Sequence, residues 1–142
     1  SLNASFRPHS RHLDVPLVRL DDYARRTGIV PAVVKIDTET TEPDVLAGAA
    51  DVLATHRPWL MVEVLAGRVE DRLEAVLEPY DYVWYHLDGP GPLEPVSRIV
   101  GDQTYEHLMY LLLPEPASPR LWERMAQYRE VLAAGSVVAT EV

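Results

Sequence analysis

The sequence contains no cysteine, a single lysine and few positive charges overall. The lack of cysteine excludes disulfide bonds, thiolate metal sites and a cysteine nucleophile. The 13 lysines and arginines are outnumbered by 22 aspartates and glutamates, so the formal charge is −9 and the electrostatic footprint of a nucleic-acid-binding protein is missing. There is no apolar run of roughly 18 residues and no signal-peptide pattern, so we expect a cytoplasmic protein with no membrane contact.

The sequence does contain enough apolar residues for one folded unit. Its 142 residues are 47% hydrophobic, and a globular chain of this size buries roughly 70% of its extended surface. It has no internal repeat, and no linker is long enough to separate two domains. We therefore expect residues 1–142 to form a single domain.

A strand–helix–strand unit organises the chain. The β-branched run at residues 33–37 predicts a strand that ends in Asp37. An amphipathic helix with one apolar stripe follows at residues 42–53, and a second apolar run occupies residues 59–65. Because ligands bind at the carboxyl ends of strands in open parallel sheets, the acidic residues after the first strand mark the candidate site.

The remaining segments continue the alternation of helices and strands. The predicted elements are an edge strand at 15–20 that contains Pro16, a helix at 21–26 ended by Gly28, a helix at 69–77 stopped by Pro79, strands at 82–87 and 105–113, and a helix from Ser118 to Gly135. Residues 1–14 are interpreted as a loop and residues 136–142 as a tail. This order predicts an α/β fold with three layers and a mostly parallel sheet, in which the last pair of strands adds an antiparallel edge strand.

Several motifs carry a resemblance to a known family. Residues 34–49 read VKIDTETTEPDVLAGA. This segment resembles the hallmark of the FkbM family of S-adenosyl-L-methionine-dependent methyltransferases, Lys-Ile-Asp-x-Glu-Gly-x-Glu followed by a Leu-x-Gly-Ala helix. Arg57-Pro58 and Glu63-Val64 are similar to the family's next two elements, and the likeness extends over about residues 1–113.

The resemblance implies a fold, a reaction and a missing part. It implies the second half of a Rossmann-like class I methyltransferase, with S-adenosyl-L-methionine as cofactor and the hydroxyl of a small molecule or saccharide as acceptor. Nothing in the chain resembles the Gly-rich loop of the family's first half, so a truncated carboxyl-terminal portion is expected to bind the cofactor weakly or not at all. The alternative is a degenerate, non-catalytic interaction domain. Two residues depart from the family pattern, Thr40 in place of glycine and His107 where asparagine is more usual.

The candidate site residues follow from the resemblance and from their positions. Asp37 is expected to act at the methyl-transfer site, near the cofactor or the acceptor hydroxyl, and Glu39 is the second catalytic candidate. Glu42, Glu63 and His107 are candidates for substrate binding.

Each candidate also has a purely structural interpretation. Asp37 could pair with Lys35 on the same face of the strand, Glu42 could favour the start of a helix, and His107 could be a core or edge histidine. Glu63 interrupts an apolar strand, so it needs either a partner or an open cleft. No metal site is expected, including one at His9 and His12, because no further ligand has suitable spacing.

The strand at residues 33–37 is also expected to expose one edge. In the full family fold its neighbour on that side belongs to the part that this chain lacks. An open apolar edge is a template for pairing with another chain. We therefore expect either a homo-oligomer formed through this edge or coverage of the edge by residues 15–20.

Overall fold

The computed structural model describes residues 13–138, with side chains as far as Leu132. Residues 1–12, which make up nearly all of the expected amino-terminal loop and include His9 and His12, lie outside the described residues, as do residues 139–142 of the expected tail. The helices are α1 (Leu20–Thr27), α2 (Glu42–Ala47), α3 (Ala50–His56), α4 (Glu70–Leu77) and α5 (Pro119–Val138). The strands are β1 (Val33–Ile36), β2 (Trp59–Glu63), β3 (Val83–His86) and β4 (Met109–Leu113). No helix in the described part of the chain is long and apolar enough to cross a membrane.

The four strands form one mixed sheet in the order β1-β2-β4-β3. Strands β1 and β2 are adjacent and parallel, as the strand–helix–strand pattern predicts, with Ile36 opposite Val62. Strand β4 runs antiparallel to both β2 and β3. The expected α/β class is confirmed, but the sheet is only partly parallel.

The antiparallel strand was predicted at an edge, and this is wrong. Strand β4 lies between β2 and β3, so the edges of the sheet are β1 and β3. The physical reason is burial, because Leu112 and Leu113 are almost fully buried and need neighbours on both sides. In the interior of the sheet such an apolar strand has both of its edges paired, whereas at the edge of the sheet one row of backbone groups would be open to other chains.

Helices cover both faces of the sheet, in agreement with the predicted three layers. Leu46 of α2, Leu53 of α3 and Leu73 of α4 pack in one core cluster with Leu60 and Leu112. On the opposite face, Trp122 of α5 packs with Tyr85, Leu111 and Leu113. Met61 of β2 also packs against this cluster, while Val33 and Trp59 remain exposed on the β1–β2 half of that face.

The predicted strand at residues 15–20 is absent. Residues 13–19 have no regular structure, and Leu20 already belongs to α1. Proline at position 16 cannot donate a hydrogen bond to a neighbouring strand, and Leu17 and Val18 are exposed. The helix predicted next is confirmed, and Gly28 ends it with a left-handed φ of 71°.

The single helix predicted at residues 42–53 is instead two helices, α2 and α3. The break falls at Gly48 and Ala49, where the buried Asp21 of α1 is inserted. The Asp21 amide donates to the Gly48 carbonyl at 3.0 Å, and its carboxylate accepts the Val52 amide at 3.0 Å. The apolar stripe continues across the break, so the hydrophobic pattern alone does not reveal it.

Two further boundaries differ from the predictions. Strand β4 begins at Met109 and not at residue 105, because Tyr105 has a positive φ of 60° and the segment before Met109 forms a turn. Helix α5 continues through Gly135 to Val138. A lone glycine weakens a helix by about 1 kcal/mol but does not have to end it.

Candidate functional site

The carboxyl edge of the β1–β2 pair brings the predicted acidic residues together. Asp37 follows β1 and Glu63 ends β2, and both come directly after the paired residues Ile36 and Val62. The turn between β1 and α2 carries Glu39 at the same edge. The carboxylates of Asp37, Glu39 and Glu42 lie near Glu63, and their negative charges raise its pKa in addition to the effect of burial.

Asp37 lies at the surface of this edge, where a ligand can reach it. Its Oδ2 atom is 2.5 Å from Nζ of Lys35, so the ion pair that the strand alternation allows is present. The Asp37 side chain is 41% exposed and that of Lys35 is 55% exposed. An ion pair this exposed contributes about 0–1 kcal/mol. The pair therefore orients Asp37 without sealing it beneath the helices.

Glu42 has a different environment, because its side chain is fully buried. Its Oε1 atom accepts hydrogen bonds from the Thr38 amide at 2.9 Å, the Thr38 hydroxyl at 3.0 Å and the Thr40 amide at 3.3 Å. Its Oε2 atom is buried with no hydrogen-bond partner among the described residues. Glu42 thus holds the turn that follows β1.

That turn has a strained backbone. Glu39 has a φ of 59° and Thr40 a φ of 84°, two successive residues in the left-handed region. This region costs a β-branched residue on the order of 1–3 kcal/mol and costs glycine almost nothing. Position 40 is therefore a place where glycine is the natural choice, and the hydrogen bonds to Glu42 offset the strain of threonine.

Glu63 has a pKa that departs clearly from the ordinary value of a glutamate. Burial, followed by the negative charges of Asp37, Glu39 and Glu42, raises its pKa from 4.5 to about 7, although Lys35 acts in the opposite direction. Its side chain is half-buried. Its Oε2 atom has no hydrogen-bond partner within the described part of the chain. Glu63 can therefore hold or release a proton near neutral pH.

His107 lies at the same edge, just before β4. The Leu108 carbonyl accepts the Val64 amide at 2.8 Å, which places this segment beside the end of β2. The imidazole of His107 is exposed. The backbone of His107 is fixed at both polar groups, because its amide donates to Asp102 and its carbonyl lies 2.7 Å from Nε2 of His86.

Sequence reasoning missed two residues that build this part of the edge. His86 ends β3 and stacks on Tyr110, with ring centroids 4.7 Å apart. Asp102 accepts backbone hydrogen bonds from Thr104, Glu106 and His107, and these bonds hold its pKa far below the usual range. The Asp-x-Thr spacing is a signal for such a turn, whereas nothing in the sequence indicates the stacking of His86.

An apolar cleft of about 560 Å³ lies along the free edge of β1. Val34 and Ile36 line one side, and Leu17, Val18 and Tyr23 line the other. Strand β1 pairs only with β2 among the described residues, so its outer edge has no strand partner there. Residues 15–20 border the cleft but do not pair with β1.

Within residues 13–138, no three His, Asp or Glu side chains come together in an arrangement that could hold a metal ion. In a comparison with family models, residues 2–115 match the model described as the methyltransferase FkbM domain. No curated protein and no solved structure gives a significant match to the chain.

Proposed function

Since the chain belongs to the FkbM methyltransferase family, we propose that it acts in S-adenosyl-L-methionine-dependent methylation of a hydroxyl on a small molecule or saccharide. The observation that carries the proposal is the set of carboxylates at the carboxyl edge of β1 and β2, where open α/β sheets bind their ligands. Asp37 and Glu39 are the catalytic candidates. Glu63 and His107 border the same edge and are proposed to contact the acceptor.

The residues at this edge fit one end of the proposed cofactor. S-adenosyl-L-methionine supplies a methyl group on a positively charged sulfur atom. The exposed carboxylate of Asp37, with Glu39 and Glu63 beside it, complements that positive charge. The groups that would hold the rest of the cofactor are expected in the Gly-rich half of the fold, which the sequence does not resemble.

The chain's own residues have separate roles in this proposal. Asp37, held by Lys35, orients the acceptor hydroxyl and balances positive charge beside it. Glu42 is buried, so we assign it to fixing the turn that carries Glu39 and not to direct substrate contact. Methyl transfer in this scheme depends chiefly on holding the two reacting groups in line.

We also propose that this chain is the carboxyl-terminal part of the methyltransferase domain. The free edge of β1 and the apolar cleft beside it support this proposal, because both would be covered by a neighbouring strand from the cofactor-binding half. Alone, the chain should then bind S-adenosyl-L-methionine weakly or not at all.

Calorimetric titration with S-adenosyl-L-methionine tests the function. We expect no more than weak binding to residues 1–142 and clear binding to a polypeptide that also contains a Gly-rich half. In the longer polypeptide, Asp37→Asn should weaken binding about tenfold, equivalent to about 1.4 kcal/mol, while S-adenosylhomocysteine, whose sulfur is neutral, should bind equally to both forms.

The matched control for this titration is Asp51→Asn. Asp51 also pairs with a cation on the surface, Arg25, but it lies in α3, away from the carboxyl edge. Its replacement should leave cofactor binding unchanged. Absence of binding in the longer polypeptide would defeat the proposed function.

One observation favours the second candidate, a non-catalytic interaction domain. Thr40 occupies a left-handed position where the resemblance leads us to expect glycine, so the turn that carries Glu39 is under strain. If this domain is degenerate, Thr40→Gly should not create methyl-donor binding in the longer polypeptide. Binding that is present in the natural chain, or that appears with glycine, argues for the enzyme.

A further inference from the structure

Glu63 and Asp37 lie at the same edge of the sheet but have different surroundings. Glu63 ends a buried strand, its side chain is half-buried, and one of its carboxylate oxygens has no hydrogen-bond partner among the described residues. Asp37, in contrast, is committed to Lys35 through a 2.5 Å contact. A carboxylate bound to an ammonium group is a poorer proton acceptor than one without such a partner.

We propose that Glu63, and not Asp37, accepts the proton that the acceptor hydroxyl loses during methyl transfer. The inference rests on the proposed function. As the bond between the methyl carbon and the acceptor oxygen forms, the O–H bond breaks and its proton passes to the Glu63 carboxylate. The electron pair of the broken sulfur–methyl bond stays on sulfur, so that charge and atoms balance. Asp37, paired with Lys35, orients the hydroxyl.

The groups around Glu63 explain why it suits this role. On the side of β1 and the following turn, it faces Asp37, Glu39 and Glu42, which favour the protonated form, and Lys35, which opposes them. On the other side its register partner is Met109, which carries no charge, and the exposed His107 lies two residues before Met109 in the chain. The balance is negative, so the proton is held more tightly than on an isolated glutamate. A proton acceptor is most effective when its pKa lies near the working pH.

The first test is a carbon-detected NMR titration of the carboxyl groups. The Glu63 signal should change with a midpoint near pH 7. Asp37→Asn or Glu39→Gln should each lower the Glu63 midpoint, because each removes a neighbouring negative charge. A midpoint below about pH 5.5, or one that ignores both substitutions, overturns the proposal.

The second test measures proton release when the methyl donor binds to the longer polypeptide. A sulfonium cation beside Glu63 favours its ionised form, so calorimetry in buffers of different ionisation enthalpy should detect about half a proton released at pH 7. Glu63→Gln should abolish this release at donor concentrations that saturate the variant, and neutral S-adenosylhomocysteine should release none. Donor binding with no proton release from the natural protein refutes the role of Glu63 alone, whereas absence of donor binding refutes the proposed function alone.

Discussion

Thr40 holds a backbone conformation that β-branched residues rarely adopt. We expect Thr40→Gly to raise the free energy of unfolding by about 1 kcal/mol, because glycine removes the left-handed strain. Urea denaturation measures this change. The control is Thr55→Gly in α3, an exposed helical position, which should lose roughly 0.3–0.5 kcal/mol because glycine favours a helix slightly less than threonine does. Loss of stability in both variants would mean that the turn is unstrained.

Glu63 also makes stability depend on pH in a predictable direction. Its pKa is about 7 in the folded chain and near 4.5 when unfolded, so between these values only the folded state keeps the proton. The favourable contribution of Glu63 is therefore complete below pH 4.5 and disappears as the pH rises through 7. Solvent screening reduces the loss to roughly 1 kcal/mol.

Denaturation at pH 5 and pH 8 measures this dependence on Glu63. Glu63→Gln should reduce the difference in the free energy of unfolding between the two pH values by roughly 1 kcal/mol, because the amide does not titrate. Glu78→Gln, an exposed position, serves as the control. An unchanged pH dependence in Glu63→Gln would mean that another group titrates in this range.

The positions of single residues were predictable where the strand pattern fixed them. A parallel pair with acids at its carboxyl ends necessarily brings Asp37 and Glu63 to one edge. The burial of Glu42 was not predictable, because an acid in the first turn of a helix is usually solvated. It is buried here because the turn folds back over it and donates three hydrogen bonds.

At the scale of elements, the junction between α2 and α3 depends on Asp21. Its carboxylate caps the first turn of α3 through the Val52 amide, in a buried position. Asp21→Ala should lower the free energy of unfolding by about 2 kcal/mol, because a buried amide loses its partner. Chemical denaturation of this variant beside Asp22→Ala, an exposed neighbour, provides the measurement. Equal losses of stability in the two variants would contradict the capping role of Asp21.

Element identity followed from the sequence more reliably than element arrangement. Apolar periodicity and the residues that end helices predicted α1, β1, β2 and α4 near their observed positions. The insertion of β4 between β2 and β3 was missed, because strand order is decided by long-range burial and not by local pattern. The break between α2 and α3 was missed for a similar reason, since Asp21 is 31 residues away from the amide that it caps.

For the whole molecule, the free edge of β1 remains the main surface that needs a partner. We expect the isolated chain to self-associate as its concentration rises, which size-exclusion chromatography with light scattering measures. Val33→Lys should reduce this association, because a charged side chain on an edge strand opposes pairing. The control is Val100→Lys, an exposed substitution outside the strands. A monomer at every concentration contradicts this prediction.

The interior position of β4 also determines when the sheet can form while the chain is being synthesised. During synthesis, β1 and β2 leave the ribosome before β3, which emerges with no hydrogen-bonded strand neighbour. Only when Met109–Leu113 emerges can β3 join the sheet, because β4 is the strand that links it to β2 in the described part of the chain. A nascent chain that stalls before this point exposes the apolar flanks of two strands at once, and these are the surfaces that chaperones recognise.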